Sequence, residues 1–200
     1  MARNQTSYLI LGGLSIEPNL SGYDIRKGVE SSVGYFWRES YGQIYPTLKR
    51  LAAEGLIVAS KSDSASRKGR RVYSLTEAGR ACLREWLAVP FKNDPPRNEF
   101  LLKLFFGREA APGVSIAHVQ DLQERNRRML ATLLAFETMA TTQASQNPHQ
   151  PFWMLTIGFG IALTRAAIEW GESALATLSS MEAAAASSPR GARIRKPRVK

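Results

Sequence analysis

Three features of the 200-residue sequence predict a mainly α-helical protein with one small β-hairpin. Apolar residues recur at helical spacing over most of the chain, as in Ile44, Leu48 and Leu51. Two short segments, Leu56 to Lys61 and Arg70 to Leu75, are β-prone, with the polar, turn-like run Ser62 to Gly69 between them. Beyond Pro90 to Pro96, which no helix can cross, two long periodic segments follow.

Tyr8 to Leu14 is a short apolar segment ended by Gly12-Gly13 and the turn-like Glu17-Pro18-Asn19, which limits it to two or three helical turns. Ser21 is a good N-cap for the next helix. Asp24 falls in its first turn, where the helix dipole favours an anion, and Ile25 and Val29 share a face that runs to about Gly34. Ser40-Tyr41-Gly42-Gln43 then supplies a capping box, a serine with a glutamine three positions on, ahead of the buried stripe Ile44, Leu48 and Leu51. Tyr41, Gln43, Tyr45, Thr47, Lys49 and Arg50 fall on other faces. Pro46 forfeits a bond to the Gly42 carbonyl and predicts a disturbed first turn; Gly55 ends the helix. The hairpin comes next, its loop carrying Arg67, Lys68, Arg70 and Arg71. Thr76 caps a further helix with Cys82, Leu83, Trp86 and Leu87 as its buried face. Three helices, a hairpin with a basic tip and a fourth helix make the winged helix-turn-helix plan. In that plan the third helix enters the DNA major groove and the wing lies on the backbone.

In the second half, Val119, Leu122, Asn126, Met129, Leu133 and Phe136 lie on one face of a helix from Ser115 to about Thr142. After Pro148 and Pro151 a second long helix runs from Phe152 to about Ala184, apolar nearly all round in its first half. Such a helix must bury more than one face, and a second copy across a two-fold axis is the simplest cover. The candidate dimer interface is Leu122, Met129, Leu133, Phe152, Leu155, Phe159 and Leu163. Arg165, Glu169 and Glu172 share a stripe and read as surface pairs worth a few tenths of a kcal/mol.

The net charge is +10 and the isoelectric point is near 10.1, which points to a polyanionic partner. Residues 1–90 carry +5, residues 91–188 carry −1, and residues 189–200 carry +6. The expected organisation is a DNA-binding domain over 1–90, a linker over 91–97, a helical dimerisation and effector domain over 98–187, and a disordered basic tail over 188–200. The tail reads as a solvated, non-specific electrostatic arm. Two rival functions share the charge: a non-specific DNA-coating protein, and a protein of anionic membrane surfaces. Met1 to Leu14 has no secretory pattern, and the apolar run Pro151 to Leu163 stops at Arg165, short of the ~20 residues of a membrane span. The single cysteine, Cys82, excludes an internal disulfide and fits a reducing compartment, so a cytoplasmic location is expected.

No enzyme is expected. The sequence shows no nucleophile with a base, no metal site and no phosphate loop: Gly158-x-Gly160 sits inside an apolar helix, and His118 and His149 are far apart without ligand-like neighbours. Neither a cofactor nor a metal is expected. Cys82, four positions from Trp86 on an apolar face, reads as a core residue.

The run Ser40 to Ile57 resembles the recognition helix of PadR-family transcriptional regulators. Ser21-Gly22-Tyr23-Asp24-Ile25 before it, Arg70 to Gly79 after it and Glu99 to Phe106 beyond the linker match the same family. The proline after Gln-Ile-Tyr is similar to the family's habit; the basic tail is not part of its pattern. Residues 108–188, on helix lengths and Trp170, resemble the larger subgroup, whose C-terminal helix pair dimerises. The resemblance implies a homodimeric regulator, usually a repressor, that binds an inverted repeat in double-stranded DNA. It also implies release on binding a small aromatic, phenolic or amphipathic effector. The candidate DNA-binding residues are Ser21, Tyr23, Ser40, Tyr41, Gln43, Tyr45, Thr47, Lys49, Arg50, Arg67, Lys68, Arg70 and Arg71. Gln43 and Tyr41 are placed for bases or phosphates, and the lysines and arginines for phosphates. Trp37, Trp153 and Trp170 are the candidate effector pocket at the module junction, with core or interface packing as their competing role.

Overall fold

The computed structural model describes residues 4–37, 41–61, 69–91, 97–143 and 146–187, with Tyr41 and Gln143 described by backbone alone. The chain divides into two units, Met1–Asp94 and Pro95–Lys200. Ser40, Arg67, Lys68, most of the expected linker and the basic tail lie outside the described residues.

In the first unit, α1 (Gln5–Ile16), α2 (Gly22–Ser31), α3 (Ile44–Ala53), β1 (Ile57–Lys61), β2 (Arg71–Leu75) and α4 (Glu77–Ala88) follow in order. Single 3-10 turns sit at Val33–Tyr35 and Tyr41–Gln43. The unit is a winged helix: three helices, an antiparallel hairpin and a closing helix. α1 starts earlier than its apolar run suggests because Asn4 caps it, Oδ1 accepting from the Ser7 N–H at 3.2 Å. It also continues past Gly12-Gly13. Two interior glycines cost about 1 kcal/mol each, which burial of Ile10, Leu11 and Leu14 outweighs at about 1.5–3 kcal/mol apiece. α2 opens with a complete capping box: Ser21 Oγ accepts from the Asp24 N–H at 3.2 Å, and Asp24 Oδ2 accepts from the Ser21 N–H at 2.9 Å.

α3 begins at Ile44, and Ser40, where a capping box is expected, lies outside the described residues. A 3-10 turn occupies Tyr41–Gln43, and Gln43 holds the N-cap position without a side-chain hydrogen bond. Pro46 is therefore the third α-helical residue, in the first turn, where an N–H has no intrahelical acceptor to lose. The helix ends as Gly55 predicts. Gly55 adopts φ +70°, its N–H donates to the Ala52 carbonyl at 3.1 Å, and the Leu56 N–H donates to the Leu51 carbonyl at 3.0 Å.

The hairpin register runs from Ile57 opposite Leu75 to Lys61 opposite Arg71. On the other side of β2, Leu20 and Tyr73 exchange backbone hydrogen bonds at 2.9 and 3.2 Å, tying the start of α2 to the sheet. Thr76 accepts from the Gly79 N–H at 3.1 Å and donates to the Leu56 carbonyl at 2.9 Å, which caps α4 and clamps it to the strand. The expected buried face of α4 is only half realised. Leu83 is buried and Cys82 half-buried, while Trp86 stacks on Tyr8 at 4.5 Å but stays 39% exposed, and Leu87 is 67% exposed. Among the described residues Leu87 is thus left largely open to solvent.

The second unit holds α5 (Glu99–Phe105), a 3-10 turn (Gly107–Glu109), α6 (Val114–Gln143) and α7 (Gln150–Ser187). α6 and α7 form an antiparallel pair. Glu182 Oε1 accepts from the Gly113 N–H at 2.5 Å, and the buried Gln123 Nε2 donates to the Ile168 carbonyl at 3.0 Å. Gly171 makes the second contact possible, because a Cβ there would lie 2.5 Å from Gln123 Cγ. Leu133, expected at the dimer interface, is fully buried inside this pair and unavailable to a partner; Leu122 and Met129 are half-buried. α7 runs unbroken through Arg165. It is the one helix among the described residues long and apolar enough to cross a membrane by length and composition, which the apolar run alone did not predict. Phe152, Leu155, Phe159 and Leu163, at steps of three, four and four residues, form an exposed stripe on α7.

Gly79→Ala tests the α4 junction. Helix propensity favours alanine by about 1 kcal/mol, but a Cβ would lie 2.0 Å from the Leu56 carbonyl oxygen, and overpacking of this kind costs about 1–3 kcal/mol or more. Urea denaturation is expected to show net destabilisation; an unchanged or raised midpoint would contradict the packing.

Candidate nucleic-acid interface

α3 separates its residues by face. Ile44, Leu48 and Leu51 are 0–1% exposed, while Gln43, Tyr45 and Lys49 lie exposed on the opposite side. Tyr45 is 58% exposed, and its ring rests over the first turn of α2: a Cβ on Gly22 would come within 2.7 Å of Tyr45 Cε1. Gly22 thus lets the two helices of the helix-turn-helix approach closely. Tyr23, 56% exposed, is the neighbouring polar group on α2.

Three of the expected DNA-binding residues make contacts within the fold. Thr47 is 3% exposed and packs inward with Leu48 and Leu51, because the stripe of α3 is wider than the spacing i, i+4, i+7 suggested. Ser21 is 6% exposed, and its hydroxyl is engaged with Asp24. Arg50 donates from Nη2 to Asn4 Oδ1 at 2.9 Å and to Ser7 Oγ at 2.8 Å, and its Nε lies 3.8 Å from Glu54. It latches the end of α3 to the start of α1. Ser40, the Tyr41 side chain, Arg67 and Lys68 fall outside the described residues.

Exposed cations differ in what faces them. Arg26 pairs with Glu30 at 3.1 Å, and Arg84 with Glu77 at 3.4 Å. Lys49, Lys61, Arg70 and Arg71 are exposed and have no ion-pair partner among the described residues. Lys61 was not among the expected site residues. It ends the β-prone segment in the sequence, but only the hairpin register sets it opposite Arg71.

Trp153 and Trp170 do not share one pocket within a chain. Trp37 belongs to the first unit and Trp153 and Trp170 to the second. The latter two are 17 residues apart on α7, about 25 Å at 1.5 Å per residue. Trp153 stacks with His149 at 6.2 Å, whereas Trp170 meets Phe100 edge-on at 5.9 Å and lines a recess of about 390 Å³ between α5, α6 and α7. Asn98, Leu101, Asn126 and Thr164 share that recess, and no spacing in the sequence announces it because three separate helices build it. An adjoining recess of about 290 Å³ holds Glu99, Lys103, His118, Asp121 and Arg125. Its cations are matched: Lys103 contacts Glu99 at 2.7 Å and holds that carboxyl below its ordinary range by hydrogen bonding and charge, and Arg125 pairs with Asp121.

Comparison with known proteins agrees with both halves. The Transcriptional regulator PadR-like family pattern matches residues 10–85, and the Virulence activator alpha C-term pattern matches residues 96–179. The Negative transcriptional regulator PadR of Bacillus subtilis is 31% identical over 185 residues, covering 86% of this chain and 96% of that protein. The crystal structure of B. subtilis PadR in complex with operator DNA superposes with a TM-score of 0.75 at 26% identity, covering 88% of this chain and 99% of that one. Its complex with p-coumaric acid gives 0.70 at 27% identity, covering 86% and 98%. A winged helix with an open polar face on α3, followed by a long-helix pair, is thus joined to a relative matched along most of its length: the chain belongs to the PadR-like family of transcriptional regulators.

Proposed function

We propose that this regulator is a cytoplasmic homodimeric repressor. Residues 1–90 read an inverted-repeat operator, residues 98–187 supply the dimer and effector part, and a small molecule releases the DNA. The observation that carries this reading is the outer face of α3, where Gln43, Tyr45 and Lys49 are exposed, together with wing cations that have no ion-pair partner among the described residues. The polar groups suit base edges and the cations suit phosphates. The complexes of the B. subtilis relative with operator DNA and with p-coumaric acid support a regulator that binds both DNA and a small molecule.

The exposed stripe of α7 supports the dimer. Phe152, Leu155, Phe159 and Leu163 are 56–71% exposed, an apolar surface that a soluble monomer rarely leaves in water and that a second copy covers. A dimer also accounts for the apolar length of α7 without a membrane. The recess beside Trp170 is of ligand size, since pockets for small molecules run from about 300 to 1,000 Å³.

Gln43→Ala is expected to weaken binding to the operator by about 1–3 kcal/mol while binding to unrelated duplex is retained. Lys49→Gln should weaken both and flatten the salt dependence by about 0.9 in the log–log slope. Mobility-shift titrations over a salt series measure both effects; equal losses on operator and random duplex with Gln43→Ala would remove the base-reading role. Phe159→Glu is expected to give a helical monomer by sedimentation velocity and circular dichroism, and to lose operator binding. A variant that still sediments as a dimer would move the interface elsewhere.

A further inference from the structure

The recess between α5, α6 and α7 has a fixed hydrogen-bonding sense. Phe100, Leu122, Leu163 and Trp170 give it apolar walls, and three neutral polar side chains, Asn98, Asn126 and Thr164, share the lining. Each of the three is held by a backbone group that can play only one role. Asn126 Nδ2 donates to the Leu122 carbonyl at 2.8 Å, and Thr164 Oγ1 donates to the Gly160 carbonyl at 2.7 Å. A carbonyl only accepts, so Asn126 keeps its Oδ1 and Thr164 its hydroxyl lone pairs, both acceptors. Asn98 Oδ1 accepts from the Leu101 N–H at 3.1 Å, which leaves its amide N–H groups as donors. Depth separates the two kinds. Thr164 is 6% exposed and Asn126 half-buried, whereas Asn98 and Trp170, whose indole N–H is the other donor, are exposed. The inner part of the recess accepts, and its mouth donates.

Among the described residues no lysine, arginine or histidine lines this recess. The adjoining recess shares Phe100 and Leu122 with it and does hold cations, but Lys103 is matched by Glu99 and Arg125 by Asp121. An ionised carboxylate drawn in here would shed water without meeting an unmatched cation. We propose that the recess binds a small, uncharged aromatic molecule that carries a hydroxyl or N–H donor at its buried end. The apolar walls take the ring, Asn126 and Thr164 accept from the buried donor, and Asn98 and Trp170 donate to an acceptor at the mouth. A ligand without the inner donor leaves buried acceptors unpaired and is rejected for that reason. p-Coumaric acid, seen in complex with the B. subtilis relative, is ionised at neutral pH and matches this lining poorly at its carboxylate end. The assignment deepens the effector reading above and rests on it, but the binding step is measured without DNA.

Calorimetric titration of the full chain at neutral pH compares p-coumaric acid with its uncharged counterpart, p-coumaryl alcohol. The alcohol is expected to bind about tenfold more tightly than the acid. Thr164→Val, which removes an acceptor and nearly keeps the shape, is expected to weaken the alcohol about 3- to 10-fold with unchanged helicity by circular dichroism. Asn126→Lys, which puts a cation into the lining, is expected to reverse the preference in favour of the acid. Acid that binds the unaltered chain as tightly as the alcohol, or a Thr164→Val chain that folds and binds the alcohol undiminished, overturns the proposed chemistry. Binding of neither molecule overturns the site itself. Alcohol that binds as expected but leaves operator binding unchanged in a mobility shift sinks release by an effector, while the recess assignment stands.

Discussion

Ile44, Leu48 and Leu51 of α3 are removed from water in one cluster with Ile10, Leu11 and Leu14 of α1, and the display of polar groups on the outer side of α3 follows from that packing. A helix with three residues fixed inward has no rotational freedom left, so Gln43, Tyr45 and Lys49 are committed to the outside. The burial contributes about 1.5–3 kcal/mol for each large side chain, far more than any single polar contact on the face it orients. Arg50 adds direction to this packing: its bonds to Asn4 and Ser7 set where α3 ends relative to the start of α1. A guanidinium that looks like a phosphate contact in sequence thus also ties the recognition helix to α1.

The same economy runs through the joints. Gly22 gives up a side chain so that Tyr45 can lie on α2, and Gly79 does so where α4 meets the Leu56 carbonyl. Thr76 and Leu20 bind the sheet to its two neighbouring helices through backbone groups that would otherwise lack partners. The wing therefore starts from a fixed base, and its outer cations inherit a defined spacing. In the second unit the balance is reversed. The α6–α7 pair buries Val119, Leu133 and Ile157, yet leaves a comparable apolar stripe outside.

Much of this was legible in the sequence, and where reading failed the reason is physical. Helical spacing of apolar residues found α2, α3, α4 and α6, because burial imposes a period of 3.6 that few other constraints produce, whereas the short α5 was not read as a helix. Gly55 and Thr76 announced their roles because a left-handed residue and an N-cap each draw on a short list of side chains. Boundaries were less visible. The start of α3 is decided by a 3-10 turn, which has no compositional mark that separates it from a capping box. The site was only partly legible: exposed faces were assigned by elimination, which cannot separate Thr47 at the edge of the core from Lys49 in solvent, nor detect that Arg50 reaches back to α1. The pairing of Lys61 with Arg71 and the recess beside Trp170 need register and three-helix convergence, which are properties of the folded chain alone.

The central claim is that a fixed helix face, doubled by a two-fold axis, reads a symmetric DNA sequence. Selection of genomic fragments bound by the full chain at physiological salt tests it most directly. The account predicts a shared two-fold-symmetric sequence with half-sites one helical turn, about 34–36 Å, or a multiple of it apart. Bound fragments with no common sequence, retained only through charge, would contradict it.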